Sequence, residues 1–274
     1  MISGNQLHIT QYTVISQNVK YGFLLSLALL FASLAFLFNT PQEIITGQIT
    51  ILTSPANLTT DYFALSNVGA TLFNSALLTA HSIGIIRLTR AKVNGPIIAA
   101  VFTVAAFSFF GKNLYNSMPI VLGAFAYARV TEVPAEKSLL AALFGTALGP
   151  LVSEVTFNIG LPLPLGIFYG YLVGFVAGFI LPPLAKHFVG FTKGFSVYNV
   201  GFTSGIVGTI FTSLLRSTGR DIEPVSMISS GNNQPFTIIF FNFVYSDASR
   251  GAVFKFLDAE WLWRTDQAFR PAVH

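Results

Sequence analysis

YGFLLSLALLFASLAFLF, residues Tyr21–Phe38, decides the class of this chain. The run holds no charge and no proline. About 18 or more such residues are enough to cross a hydrocarbon core of about 30 Å as a helix. The run is too long for the apolar centre of a cleavable signal, and no small-residue cleavage site follows it. It is therefore expected to stay in the membrane as a span.

Outward from this run the charges keep their distance. None stands between Lys20 and Glu43, Asp61 and Arg87, Lys92 and Lys112, Glu154 and Lys186, or Lys193 and Arg216. One such gap fits a buried helix, but the recurrence points to repeated crossing. Only 9% of the 274 residues are charged and 53% are hydrophobic. A soluble domain carries about 25% charged residues, so this chain lacks the surface of one. The 28 phenylalanines and 23 glycines suit lipid-facing and closely packed helices. Cysteine is absent, which excludes a disulfide framework and thiolate chemistry. The net charge of +4 is scattered between apolar runs, so no nucleic-acid partner is expected.

The expected fold is all-α, a polytopic transmembrane helix bundle of about eight spans. They fall at about 21–38, 62–88, 96–110, 118–127, 139–155, 163–184, 195–215 and 235–245. The fourth and fifth are short and read as thinly spanning or half-inserted. Residues 1–20 form a polar N-terminal segment, 21–245 the bundle, and 246–274 a charged tail. In the tail Val253, Leu257 and Trp261 recur at helical spacing, as in an interfacial amphipathic helix. The tail reads equally well as sequence extraneous to the bundle.

Basic residues orient a bundle by collecting on the cytoplasmic side. Lys20, the Arg87–Lys92 group, Arg129 with Lys137, and Lys186 with Lys193 fall on alternate connections. This places the N-terminus in the cytoplasm, with Lys112 a lone exception on the far side. Arg216 and Arg220 also break the pattern, beside Asp221 and Glu223.

A pentapeptide recurs. Asn67-Val68-Gly69-Ala70-Thr71 and Asn199-Val200-Gly201-Phe202-Thr203 each open an apolar run that ends at an arginine, Arg87 or Arg216. The copies lie an odd number of spans apart, so they are expected to cross in opposite directions. That is an inverted repeat, the first copy about 21–155 and a partial second about 163–245. Transporters with such repeats bind solute near the midplane at the junction. A unit of about five spans would give ten in a full pair, so a shortened second copy is expected.

The segment FFGKNLYNSMPIVLGAFAYAR (Phe109–Arg129), the glycine-rich run after residue 163, and GFSVYNVGFTSGIVGTIF (Gly194–Phe211) resemble a bacterial polytopic integral membrane family catalogued only as a domain of unknown function. The resemblance covers about residues 15–240 and leaves the tail unmatched. It implies a multi-helix bundle and carries no activity with it.

Asn67 and Asn199 stand in apolar surroundings, where an unmet amide costs about 2–7 kcal/mol. Both therefore need partners, either a shared solute site or neighbouring backbone. Thr71 and Thr203 follow one turn later on the same face. Lys112, Asn113 and Asn116 form a polar break before Pro119. The break is either an unwound site for an anion or polar solute, or an interfacial turn with a snorkelling lysine. Glu154 is a proton-coupling carboxylate or a span-end residue facing headgroups. Gly166, Gly170, Gly174 and Gly178 repeat every fourth position, giving a flat groove for close helix packing. Gly201 and Gly205, with Gly208, offer a similar face. No second histidine stands at ligand spacing from His81, so neither a metal nor a cofactor is expected. The hydrolase and phosphate-loop motifs are missing from the sequence, and no enzyme is expected. The leading function is a transporter or channel for a small polar or anionic solute. The alternatives are a non-transporting assembly or sensory component, and an intramembrane enzyme acting on lipid.

Overall fold

A computed structural model describes residues 15–57, 59–188, 199–217, 219, 227–231 and 233–250. The amphipathic pattern at Val253, Leu257 and Trp261 lies outside these residues, as do Lys193, Arg220, Asp221 and Glu223. The chain divides into two units. Tyr21–Gly231 forms one, and Met1–Lys20 with Asn232–His274 forms the other. The second unit contains helix α11 (Asn233–Arg250).

The first unit is helical. Among the described residues it contains isolated bridges but no strand. α1 (Gln17–Phe38) is followed by α2 (Pro41–Thr53), the short α3 (Tyr62–Leu65), and α4 (Val68–Leu88). α5 (Gly95–Phe107) and α6 (Leu114–Val130) come next. α7 (Ala135–Gly145) joins α8 (Gly149–Phe157) through a single 3-10 turn, and α9 (Leu163–Phe188) and α10 (Asn199–Ser217) complete the unit. Four helices are long and apolar enough to cross a bilayer: α1, α4, the α7–α8 pair and α9.

Three expectations change. Residues 39–60 lie between the first two expected spans, a polar stretch with Pro41 and Pro55 as breakers, yet they contain α2. Pro41 sits in the first turn, where its missing N–H costs nothing. The Thr40 side chain accepts from Glu43 N, and Glu43 Oε2 accepts from Thr40 N at 2.8 Å, a complete capping box. The fifth span, expected to be short, is a 23-residue rod from Ala135 to Phe157, because its first turn includes Glu136 and Lys137. The third expected span is too short for a full crossing, and the fourth is short, as expected. α5 has 13 residues and α6 has 17.

Hydrogen bonds to α4 fix how far α5 travels. Ser75 Oγ donates to Ala105 O at 2.8 Å, and Asn74 Nδ2 donates to Ser108 O at 2.7 Å. Asn74 stands six positions after Val68, which is about 9 Å along the helix at 1.5 Å per residue. α5 starts where α4 ends, and so it stops short of the level at which α4 begins. α6 leaves from the same depth. α5 and α6 thus form a hairpin with Lys112 at its tip, which stops short of the start of α4. The lone exception to the charge pattern is a residue inside the bundle and not in an outer loop.

The wall behind the hairpin is built from glycine. A Cβ on Gly178 would run into the Ile120 carbonyl, and one on Gly123 into the Phe175 carbonyl, so α6 and α9 meet backbone to backbone. Gly166 and Gly170 hold the same relation to Thr156 on α8, and Gly174 lies against Val152 and Pro119.

Candidate functional site

Helices that end inside a bundle leave backbone groups that no water can satisfy. Here they satisfy each other. Residues 59–62, 108–111 and 227–229 run side by side. Tyr62 N donates to Phe109 O (3.0 Å), Gly111 N to Thr60 O (3.2 Å), Asp61 N to Met227 O (3.1 Å), and Met227 N to Thr59 O (3.2 Å). Gly111 makes the tight turn at φ 63°, a conformation that costs glycine little.

Asparagines complete the knot. Asn113 Oδ1 accepts from Asn116 N (3.0 Å) while Asn116 Oδ1 accepts from Asn113 N (2.9 Å), so each caps the start of α6. Asn113 Nδ2 donates to Ile51 O at the end of α2 (2.9 Å) and to Tyr62 Oη (3.3 Å). Asn116 Nδ2 donates to Gly111 O (2.9 Å) and to Ser153 Oγ on α8 (3.0 Å). Both amides spend their donors on the protein and are fully buried, so they act as structure. α2 and α5 start at opposite ends of α4: Asn67 Nδ2 holds Glu43 O at α4's first turn (3.0 Å), whereas α5 follows its last. Their far ends meet at this knot.

Lys112 differs. It is 1% exposed, and its ammonium lies over the Phe107 ring, 5.6 Å from the centroid. No carboxylate or hydrogen-bond acceptor stands at its Nζ among the described residues. A desolvated cation–π contact is worth about 2 kcal/mol. Burying an ion costs several kcal/mol, so the ring alone does not offset it.

Beside the knot lies a cleft of about 770 Å³ between α8 and α10, which Asn57, Thr59 and Phe107 also line. On α8 it meets Pro150, Leu151 and Glu154, and on α10 the small residues Gly201, Ser204, Gly205, Gly208 and Thr209, then Arg216. Glu154 is 7% exposed, and its Oε2 accepts from Asn158 Nδ2 at 2.9 Å. A Cβ on Gly205 would meet nothing within 4 Å among the described residues, and one on Gly208 only Leu148 at 3.4 Å. Gly205 and Gly208 thus border open space, unlike the glycines of α9.

The structure brings Lys112, Asn113 and Asn116 together at the knot, with Glu154, Gly201 and Gly205 on the cleft. It does not bring Asn67 to Asn199. Asn67 caps α4 through Ala70 N (2.7 Å) and borders a separate groove beside Thr46 and Thr50. Val200, next to Asn199, packs on two apolar clusters, one with members on α4, α5 and α7 and the other with members on α6, α8 and α9. Thr71 Oγ1 donates to Asn67 O (2.8 Å), and Thr203 Oγ1 to Asn199 O (2.7 Å), so both threonines are occupied within their helices.

Several residues of this region escaped the reading of the sequence. Asn74 was visible as a polar residue in a span, but nothing local marks Ser108 and Lys112 as its partners. Phe107 is one aromatic among many. Ser204 and Thr209 carried a signal, since they continue the spacing of Gly201, Gly205 and Gly208 on one face of α10.

A family model described as "Protein of unknown function (DUF1576)" matches residues 40–217, and the chain belongs to that family. No curated protein and no solved structure matches it.

Proposed function

We propose that this DUF1576 protein is a transporter or channel for a small polar or anionic solute, and not an enzyme. The observation that carries the reading is the meeting of α2 and α5. Both stop inside the bundle, arrive from opposite ends, and pair their non-helical ends beside a cleft of about 770 Å³. Discontinuous helices of this kind mark solute sites in transporters, because irregular backbone is tolerated at depth only where it is buried or lines a cavity. The cleft holds one carboxylate, Glu154, and a flank of α10 almost bare of side chains. It is a path with room and with few groups that bind tightly.

An inverted repeat is part of the proposal. The matched pentapeptides open α4 and α10, and they lie an odd number of expected spans apart, which favours opposite senses for the two helices. We also place the protein in a bacterial cytoplasmic membrane with its N-terminus inside. Withdrawing Lys112 from the outer loops removes the main objection to that orientation. The test is flux: the full chain in proteoliposomes is expected to take up a polar solute that empty liposomes exclude. Absence of uptake for neutral, cationic and anionic solutes alike, from folded protein, would remove the reading.

A further inference from the structure

We infer that the solute is a small anion, and that Lys112, standing behind the ring of Phe107, is the charge that receives it. The inference rests on the transport reading above. Two independent features meet at one aromatic ring. Phe107 forms part of the cleft wall, and its face carries the ammonium of Lys112 at 5.6 Å. Lys112 is 1% exposed and has no anionic partner among the described residues. A buried lysine without a counter-ion marks a functional site, because an anion arriving beside it would stabilise its charged form. Turning the Phe107 ring opens the ammonium to the cleft.

Arg216 and Glu154 line the same cleft. Asp61, paired with Phe110 beside the turn, is held by Phe63 N on its Oδ1 (2.8 Å) and by Ser229 N on its Oδ2 (2.9 Å). Asn113 and Asn116 hold the turn that carries Lys112 and do not themselves touch solute.

The experiment uses the purified full chain in proteoliposomes, with radiolabelled chloride and formate as anions, glycerol as a neutral solute and potassium as a cation. Chloride or formate is expected to enter well above the rate in empty liposomes, with glycerol and potassium at that background. Lys112→Met, close in size and apolar, is expected to cut anion entry about tenfold or more, the usual scale for truncating one partner of a buried charge pair. Phe107→Ala is expected to raise anion entry while leaving glycerol at background, which keeps the inference testable if Lys112→Met fails to fold. Anion entry unchanged in Lys112→Met, or unchanged in Phe107→Ala where the lysine variant does not fold, overturns the role of Lys112. Entry of glycerol or potassium without anions overturns the anion while leaving transport standing. No entry of any solute overturns transport, and this inference with it.

Discussion

Asn74 Nδ2 donates to the carbonyl of Lys112 at 2.9 Å. The bond ties a full-length helix to the tip of a hairpin that stops partway through the bundle. The same amide also holds Ser108 O, so one side chain satisfies both flanks of the break. This relationship is what allows six non-helical residues, Lys112 among them, to stand inside the bundle.

Asn74→Leu should therefore destabilise the protein by about 1–3 kcal/mol for each carbonyl left without its donor. A thermal unfolding series in detergent checks this. A midpoint unchanged from the parent would show that the hairpin is held elsewhere.

The two glycine faces should respond in opposite ways. Gly178→Val forces side-chain atoms onto the Ile120 carbonyl, and overpacking of this kind costs about 1–3 kcal/mol or more. Gly205→Ala meets nothing within 4 Å and should leave the unfolding midpoint where it is. Equal losses for the two variants would mean that α10 packs against a surface as α9 does.

The hairpin makes a topological prediction that the cysteine-free sequence renders simple to test. Leu88→Cys and Val130→Cys, at the ends of α4 and α6, should react with an impermeant maleimide from one side of the membrane. Phe38→Cys and Leu163→Cys should react from the other. Labelling of Leu88→Cys and Val130→Cys on opposite sides is incompatible with the hairpin.

The cap of α2 responds to pH. Glu43 is held below the ordinary carboxylate value by the Thr40 backbone N–H first, then by the Asn39 and Thr40 side chains. A carboxylate depressed in the folded state stabilises above its unfolded pKa, and the contribution is lost as pH falls through the folded value. The midpoint difference between parent and Glu43→Gln should be widest at neutral pH and close in acid. A difference that stays constant with pH would show that the charge is not the cause.

α1, α4 and α9 were legible because each is an unbroken apolar run of span length, and that signal is local. α2 was not, because Pro41 and Pro55 read as breakers until the place of Pro41 in the first turn is known. The hairpin was half legible. The shortness of the segment after Lys112 was visible, but its depth depends on Asn74 meeting residues 34 and 38 positions away. Glycine spacing showed two flat helix faces and could not say which was covered. Gly166 and Gly178 face backbone and Gly170 and Gly174 face packed side chains, whereas a Cβ on Gly205 would meet nothing within 4 Å among the described residues, and only the tertiary fold makes that distinction.

The central claim is that solute passes through the cleft on α10, and Gly205→Leu tests it most directly. The site is open, so the larger side chain should fold normally and fill the path. Beside Gly205→Ala in the same proteoliposomes, the account predicts parent-like uptake for alanine and uptake close to empty-liposome background for leucine. Parent-like uptake by folded Gly205→Leu would contradict it.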